Sequence, residues 1–258
     1  MEDLFYKKLL VISDNSAQCG RLRAVLFRYV RDLGLSVNWA CSPFSNADRF
    51  RDTVGITFAT LDLRKEADVE TIVRDHDLVL SMHCKQLFPE RLVSAVKCIN
   101  VHPGYNPVNR GWYPQVFAII HHTLIGATIH EMDKELDHGN IIDRQEVPQF
   151  PQDTSREVYN RVLDAEINLL ERNLKKILGN RYETVTPEAQ GRLYLKKDFR
   201  AICELDPDEV GRLGDFIDRL RALTHAPFRN AYYIERKTGQ KIFVNIELEP
   251  EIKQGNNE

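Results

Sequence analysis

Cysteine is scarce in this chain, and its spacing is irregular. The sequence has five cysteines, an odd number, and no two of them form a Cys-x-x-Cys pair. This pattern excludes the disulfide framework of a small secreted domain, and it offers no ligand set for zinc. We therefore expect reduced thiols, a cytoplasmic protein and no metal site.

Long apolar segments and an excess of charge of one sign are also missing. The opening residues, MEDLFYKKLLVISD, lack the basic region, apolar stretch and cleavage site of a signal peptide, and we expect no transmembrane span. The net charge is −3 and the charges are interspersed, which does not indicate a nucleic-acid-binding surface. No Gly-x-Gly-x-x-Gly motif follows the first apolar run, so a dinucleotide cofactor has no support. We expect neither a membrane nor a nucleic acid among the partners.

The first half of the sequence contains strand and helix patterns that alternate. Patterns typical of strands cover residues 8–13, 36–41, 56–63, 78–82 and 98–102. Helical spacing covers residues 22–33, residues 68–74 and a segment that begins at Pro89. This alternation predicts an α/β protein with a Rossmann-like, mostly parallel sheet and helices on both faces. In such sheets ligands bind beyond the carboxyl ends of the strands, here after Met82 and His102.

The second half is organised differently. The predicted elements are a hairpin (126–132 and 141–147), a helix to about residue 178 opened by a Thr154–Glu157 capping box, a polar linker (179–191), a helix from Asp206-Pro207 to about residue 223, and a second hairpin (232–235 and 241–248). We predict a larger unit over residues 1–180 and a small C-terminal α+β region over residues 181–258.

Three polar residues point to chemistry. Asn100 and His102 are two positions apart at a strand end, so their side chains project to the same face. Asp137 lies between the strands of the predicted hairpin, in a loop that can return its carboxylate to the sheet edge. Taken alone, each has an ordinary use, since histidine is often structural, asparagine satisfies loop backbone, and aspartate near glycine forms turns. Together they indicate an active site.

The same part of the chain resembles the 10-formyltetrahydrofolate-dependent formyltransferase family. The resemblance rests on Asn-x-His at 100–102, Arg-Gly at 110–111, and GATIHEMDKELDHGNII at 126–142, which contains Asp-x-Gly. The loop HPGYNPVNRGWYPQVFAI is similar to that of the branch that acts on dTDP-linked amino sugars. The resemblance implies the formyltransferase fold, a homodimer, and transfer of a formyl group from N10-formyltetrahydrofolate to the C3 or C4 amine of a dTDP-linked amino-dideoxy sugar. The product of such an enzyme would serve O-antigen or another surface polysaccharide.

The resemblance assigns roles that elementary chemistry supports. His102 is expected to accept a proton from the attacking amine, because histidine changes charge near neutral pH. Asn100 is expected to stabilise the oxyanion through its amide, and Asp137 to orient His102 or to relay a proton to the leaving nitrogen. No step in this scheme needs a metal.

Ligand-binding residues are implied by the same resemblance. The folate pocket is expected to be formed, largely through backbone groups, by Met82, His83, Cys84, Gln86 and Leu87. The expected contacts to the nucleotide sugar are Lys85, Tyr105, Asn106, Arg110, Phe228, Asn230, Tyr232 and Tyr233.

Alternatives stay open for several of these residues. Lys85 is equally compatible with a solvated surface position, and Arg110 with holding its own loop. The aromatic residues near the C-terminus can instead pack a small sheet, and alternation prevents Tyr232 and Tyr233 from facing the same side. Trp112 and the tyrosine that follows it are expected to pack against the next helix.

Two other functions are compatible with the sequence. One is formyl transfer to another amine, such as glycinamide ribonucleotide or methionyl-tRNA, and the other is a non-catalytic nucleotide-binding module with this fold. The acidic balance argues against tRNA, whose binding needs a basic surface. The presence of Asn100, His102 and Asp137 argues against a loss of catalysis.

Overall fold

The computed structural model describes residues 4–251 and contains one large sheet flanked by helices. The strands are β1 (Lys8–Ser13), β2 (Ser36–Cys41), β3 (Ala59–Thr60), β4 (Leu78–Met82), β5 (Lys97–His102), β6 (Arg110–Gly111), β7 (Gly126–Glu131), β8 (Ile141–Glu146), β9 (Leu193–Tyr194), β10 (Thr224–His225), β11 (Phe228–Arg229), β12 (Tyr232–Ile234) and β13 (Lys241–Phe243). The helices are α1 (Ser16–Leu33), α2 (Ala47–Val54), α3 (Glu66–Asp75), α4 (Glu90–Ala95), α5 (Pro114–His121), α6 (Ser155–Leu178), α7 (Lys196–Cys203) and α8 (Leu213–Leu223). The large sheet has seven strands in the order β3-β2-β1-β4-β5-β7-β8.

The centre of this sheet is parallel and covered on both faces. β1 pairs in parallel with β2 and β4, and β4 pairs in parallel with β5. Alternate residues of β1 enter opposite core clusters: Leu9 and Val11 join residues of α1 and α6, whereas Leu10 and Ile12 join residues of α3 and α4. Burial on both faces explains the continuous apolar run. The predicted Rossmann-like fold with helices on both faces is confirmed.

The other side of the sheet is antiparallel. β7 runs antiparallel to β5 and forms a hairpin with β8. The long helix α6 then starts at the predicted capping box, in which the Thr154 N–H donates to the Glu157 side chain at 2.9 Å. β7 therefore ends opposite Ile99, near the start of β5, and the loop between β7 and β8 folds back so that Asp137 reaches Asn100.

The C-terminal region is built from short elements. α7 and α8 are followed by the antiparallel pairs β10–β11 and β12–β13. β12 and β13 lie where the second hairpin is predicted, although β13 is shorter than expected. A parallel pair, β6–β9, connects the loop after β5 with the start of this region.

Two predicted elements are wrong in extent. Asp206 and Glu209 form a turn rather than a helix start, because the Asp206 carboxylate accepts from the Asp208 N–H at 3.0 Å; the helix begins at Leu213. Only two of the residues predicted as a strand at 56–63 pair with β2. The chain leaves the sheet after them, since Leu63 N–H donates instead to the Gln86 side chain at 2.9 Å.

No helix among residues 4–251 is long and apolar enough to cross a membrane.

Candidate active site

A cleft of about 1700 Å³ opens at the edge of the sheet where β1, β4 and β5 end. Its walls come from the loops after β1, β2 and β4, the segment 132–137, α6 and the C-terminal region. Loops from distant parts of the chain converge there because parallel strands end together at one edge. Of the residues assigned from the sequence, those that line the cleft are His83, Cys84, Lys85, Gln86, Leu87, Asn100, His102, Asp137, Phe228 and Asn230.

Asn100, His102 and Asp137 lie together in this cleft. The Asn100 amide donates to Asp137 Oδ1 at 3.1 Å, and His102 Nδ1 is 3.5 Å from Asp137 Oδ2. β5 positions the first two side chains, and the β7–β8 loop returns the third to them. Asp137 has φ +49°, a left-handed conformation that aspartate tolerates better than most residues.

The Asp137 carboxylate is ionised at neutral pH although it is buried. Burial raises its pKa, but the protonated forms of His102 and His130, whose ring nitrogens lie 3.5 and 3.6 Å from the carboxylate, and the Gly111 N–H together lower it to about 2. The Gly111 N–H donates to Asp137 Oδ2 at 3.0 Å. A carboxylate held in this way stabilises a positive charge on the neighbouring imidazole.

A backbone carbonyl fixes the tautomer of His102. His102 Nε2 is 2.7 Å from the Asn109 carbonyl oxygen, which can only accept, so Nε2 carries the hydrogen. Nδ1, beside Asp137, is therefore the nitrogen that is free to take a proton. A Cβ on Gly104 would lie 2.4 Å from His102 Nε2 and 2.4 Å from the Asn109 oxygen, so only glycine permits this approach.

His130 completes the cluster, and the sequence reasoning did not assign it a role. It lies opposite Asn100 in the β5–β7 register and is buried. His130 Nδ1 donates to the Glu131 carbonyl at 2.7 Å, so Nε2 accepts from the Asn100 amide at 3.2 Å. The signal that could have found it is alternation along β7, which places Thr128 and His130 on one face. Both hydrogens of the Asn100 amide are thus directed, one to His130 and one to Asp137.

Gly111 connects the loop after β5 to the C-terminal region. It has φ +91°, and a Cβ there would lie 2.1 Å from the Tyr194 carbonyl oxygen. The next residue, Trp112, donates its N–H to that same oxygen at 2.8 Å. The backbone group that holds Asp137 therefore belongs to a strand fixed by the β6–β9 pair.

The loop after β4 lines the cleft mainly with residues 83–87. Gln86 holds the loop to the segment after β3, since its Nε2 donates to the Leu61 carbonyl at 2.9 Å. The Lys85 N–H donates to Asp14 Oδ2 at 2.7 Å, while the Lys85 side chain is exposed. Leu87 is 72% exposed and offers apolar surface to a ligand. Burial raises the pKa of the Cys84 thiol to about 12, which makes this cysteine a poor nucleophile.

Three residues of the loop after His102 do not line the cleft. Arg110 is buried and donates through Nη2 to the Leu136 carbonyl at 2.8 Å, so the geometry supports the loop-holding alternative rather than a diphosphate contact. Asn106 is buried, and its amide donates to the Asp137 carbonyl at 3.2 Å. The Tyr105 ring is covered by the Arg144 guanidinium at 4.6 Å. These three residues shape the loop that carries Asp137, and their contact with the sugar stays a prediction.

The Met82 side chain is fully buried in the core, which leaves only its backbone for the predicted contact with the folate. Three other residues are placed differently from expectation at the cleft. Neither Tyr232 nor Tyr233 lines it, because both lie in the β12–β13 hairpin, where the Tyr232 hydroxyl donates to Glu204 at 3.0 Å. Trp112, expected to pack against the next helix, lines the cleft with Lys196 Nζ 3.9 Å from its ring centroid.

One wall of the cleft is aromatic, and it meets the loop after β4 where Tyr159 lies against His83. Phe228 is 64% exposed, and its ring centroid is 5.9 Å from that of His225. His225 in turn meets Tyr159 edge-on at 5.5 Å. Asn230 donates to the Leu223 carbonyl at 2.9 Å, which fixes the turn beside Phe228. Tyr159 and His225 line the cleft, although the sequence reasoning did not single them out.

No group of three or more histidine, cysteine, aspartate or glutamate side chains within residues 4–251 is arranged to hold a metal ion.

Two family models match the chain. Residues 6–174 match the formyl transferase family, and residues 198–250 match the N-formyltransferase dimerization C-terminal domain. The first match covers the large sheet and the catalytic cluster, and the second begins within α7.

Individual proteins are similar over most of the chain. The dTDP-4-amino-4,6-dideoxyglucose formyltransferase of Mycobacterium tuberculosis (strain ATCC 25618 / H37Rv) is 49% identical over 183 residues, 71% of this chain and 78% of that protein. The crystal structure of a 4-N formyltransferase from Francisella tularensis is 37% identical, with a TM-score of 0.88, covering 95% of this chain and 98% of that one. A sugar N-formyltransferase from Shewanella sp FDAARGOS_354 is also 37% identical, with a TM-score of 0.90, covering 95% and 99%.

Proposed function

The chain belongs to the formyltransferase family, and from that premise we propose that it transfers a formyl group from N10-formyltetrahydrofolate to the amine of a dTDP-linked amino-dideoxy sugar. The observation that carries the proposal is the Asn100–His102–Asp137 cluster, which lies in the cleft at the carboxyl ends of the strands. The C4 amine is favoured over the C3 amine because one similar protein is named for a 4-amino sugar and another is called a 4-N formyltransferase.

His102 is the proposed base of the reaction. The acceptor amine attacks the formyl carbon, and His102 Nδ1 takes the proton that the nitrogen must lose. The imidazolium formed is held between the Asn109 carbonyl and the Asp137 carboxylate. Return of this proton to the departing folate nitrogen lets the carbon–nitrogen bond break.

Asn100 is the proposed donor to the oxyanion. Its amide donates to His130 and to Asp137, and it must give up one of these hydrogen bonds to donate to the formyl oxygen instead. The bond to Asp137 is the one we expect to be exchanged, because that carboxylate keeps the Gly111 N–H and gains the charged His102 as a partner. His130 then holds the amide in the required orientation.

The folate and the nucleotide sugar are assigned to different parts of the cleft. The residues after β4 and the segment 132–136 offer backbone groups and the exposed Leu87 to the folate. Phe228 and Asn230 lie on the other wall, where the nucleotide has aromatic surface to stack on. Lys85, exposed at the cleft, remains the proposed partner of a phosphate.

A homodimer is proposed for the assembled protein. The match to a dimerization domain supports it, as do exposed apolar side chains within that region, namely Val210, Leu213, Ile234 and Phe243. Light scattering coupled to gel filtration tests this. We also propose that the enzyme acts in the cytoplasm, on a sugar destined for O-antigen, lipopolysaccharide or another surface polysaccharide; the free cysteines are consistent with a reducing compartment.

The test is a mass-spectrometric assay of the purified full chain with N10-formyltetrahydrofolate. The acceptors are dTDP-4-amino-4,6-dideoxyglucose, a dTDP-3-amino sugar and glycinamide ribonucleotide, with His102→Asn as the control enzyme. We expect one formyl group to appear on the 4-amino sugar. Formylation of glycinamide ribonucleotide alone, or of none of the three, would overturn the proposal.

A further inference from the structure

A further histidine, His83, lines the same cleft as His102. β4 and β5 pair in parallel with Met82 opposite Val101, so His83 follows the end of β4 directly, at the sheet edge where His102 ends β5. Two imidazoles therefore reach the same cavity from the ends of neighbouring strands.

His83 is held by a carboxylate, as His102 is. Glu166 of α6 is fully buried, and its Oε2 lies 2.7 Å from His83 Nε2 and accepts from Gln18 Nε2 at 2.8 Å. Its Oε1 is buried and has no hydrogen-bond partner among the described residues. Burying a carboxylate is expensive without a compensating partner. Burial of the Glu166 carboxylate therefore costs stability, and the group that this carboxylate contacts at the cleft is the His83 imidazole.

The contact with Glu166 determines which nitrogen of His83 carries the hydrogen. A carboxylate oxygen accepts, so Nε2 carries the hydrogen and Nδ1 is the nitrogen with the free lone pair. The contact recorded for Nδ1 is the Tyr159 hydroxyl at 3.4 Å, a long distance for a hydrogen bond. His83 has φ +56°, which turns the chain there and sets its ring against α6.

The surroundings of His83 contain few other charges. Glu166 and Tyr159 face it from α6, and Gln18 and Asn15 stand behind them from the α1 end. On its own loop the neighbour is Cys84. The nearest further groups are His225, edge-on to Tyr159, the surface pair Arg21–Asp164 beyond Gln18, and Asp14, whose carboxylate accepts from Ser42, Ser45 and the Lys85 N–H.

Formyl transfer to an amine requires the loss of two protons from the acceptor nitrogen. An aliphatic amine is an ammonium ion near neutral pH, and it has no lone pair for attack until one proton leaves. After the new carbon–nitrogen bond forms, the nitrogen must lose a second proton. His102 accepts one proton at a time, and the proton it accepts is needed by the leaving folate nitrogen.

We propose, on the basis of the formyl transfer proposed above, that His83 held by Glu166 accepts the first proton, the one that converts the bound ammonium to the attacking amine. In this step the N–H bond of the ammonium breaks, its electron pair stays on nitrogen, and the proton goes to His83 Nδ1. His102 takes the second proton after attack and passes it to the folate nitrogen. The proton on His83 is released to solvent after the product leaves, so the two imidazoles divide the two deprotonations.

The pH dependence of two variants tests this division of labour. His83→Asn removes the base, and Glu166→Gln keeps the shape of the side chain but removes the charge that fixes the tautomer. Turnover is measured by mass spectrometry with saturating dTDP-4-amino-4,6-dideoxyglucose over a range of pH, and thermal melting checks that each variant folds. We expect both variants to lose about 10-fold or more in kcat near pH 6.5 and to recover to within about 3-fold of wild type near pH 9.5, where the acceptor arrives unprotonated.

His102→Asn is the matched control, because the acceptor nitrogen must lose the proton assigned to His102 after attack, whatever the pH. Its defect should therefore stay large across the whole range. A loss in the His83 and Glu166 variants that does not change with pH would indicate a structural role and overturn the proposal, as would a change in KM alone or no loss at all. If wild type formylates none of the amino sugars, the proposed function itself is wrong, and this outcome is separate from the others.

Discussion

Two regions of the cleft differ in how firmly they hold their side chains. At the sheet edge, Asp137 and His102 are less than a tenth exposed, and each is fixed by hydrogen bonds from separate elements. In the C-terminal region, Phe228 is 64% exposed on a two-residue strand. The first region is fixed by a buried parallel sheet, whose strands tolerate little movement because both faces are packed. The second is built from short pairs that place side chains without burying them. In the proposed function this difference separates chemistry from ligand recognition, because the sheet fixes the reacting groups and the C-terminal region offers the nucleotide a surface.

The largest effect should come from the rigid region. We expect His102→Asn to lower kcat by about 10²- to 10⁴-fold, the usual contribution of a general base. Binding of the nucleotide sugar should stay within a few-fold of wild type, because recognition belongs to the other wall. Steady-state kinetics and calorimetric titration measure the two quantities. A variant that keeps more than a tenth of the wild-type rate would show that His102 is not the base.

The connection between the two regions is the next test. Gly111→Ala should lower kcat by about 100-fold, since a Cβ would meet the Tyr194 oxygen at 2.1 Å and displace the N–H that holds Asp137. Gly239→Ala is the matched control, because Gly239 also has a positive φ (+68°) but nothing lies within 4 Å of the added carbon. Equal losses in both variants would mean that backbone strain alone is responsible, and that the β6–β9 connection does not position Asp137.

The extent to which these two regions can be predicted from sequence also differs. The parallel strands and Asn100 with His102 follow from local patterns, since burial produces apolar runs and alternation fixes which side chains share a face. The predicted helix start at Asp206 is wrong. The Asp206 side chain accepts a hydrogen bond from the backbone and forms a turn, which the proline after it does not reveal.

Long-range partners are harder to predict. Alternation along β7 shows which face His130 is on, but its contact with Asn100 depends on antiparallel pairing of β5 with β7, and Glu166 meets His83 across 83 positions of sequence. Local spacing therefore reveals neither partner. Arg110 shows the converse: its motif is visible, but only the fold shows that its guanidinium is used by the Leu136 carbonyl. Residue type predicts chemistry, whereas the fold decides which groups are free to perform it.

Acid stability gives a smaller, independent measure of the rigid region. The pKa of Asp137 is lowered from 3.8 to about 2 in the folded protein, so its stabilising contribution is present above the unfolded pKa and is lost as pH falls through the folded value. One pKa unit corresponds to about 1.4 kcal/mol, so the contribution is about 2 kcal/mol, of which about 1 kcal/mol is lost by about pH 3. Urea unfolding of wild type and Asp137→Asn at neutral and acid pH measures it. A difference between the two proteins that stays constant with pH would contradict the assignment.

The smallest expected effect lies on the exposed wall. Phe228→Ala should weaken binding of the dTDP sugar by about 10-fold, because stacking on a base is worth about 1–3 kcal/mol and this ring is exposed at the cleft. Folate binding should hardly change, since the folate is assigned to the loop after β4. Tyr233→Ala is the matched control: it removes an aromatic ring of the same small region that does not line the cleft, and it should bind the sugar within about 2-fold of wild type, a difference of less than 0.5 kcal/mol. Calorimetric titration of dTDP and of a folate analogue against both folded variants decides the matter. If Phe228→Ala binds dTDP as wild type does, the nucleotide does not stack on this ring. The C-terminal wall would then serve assembly alone, and the groups that bind the nucleotide would have to lie at the sheet edge, together with the reacting groups.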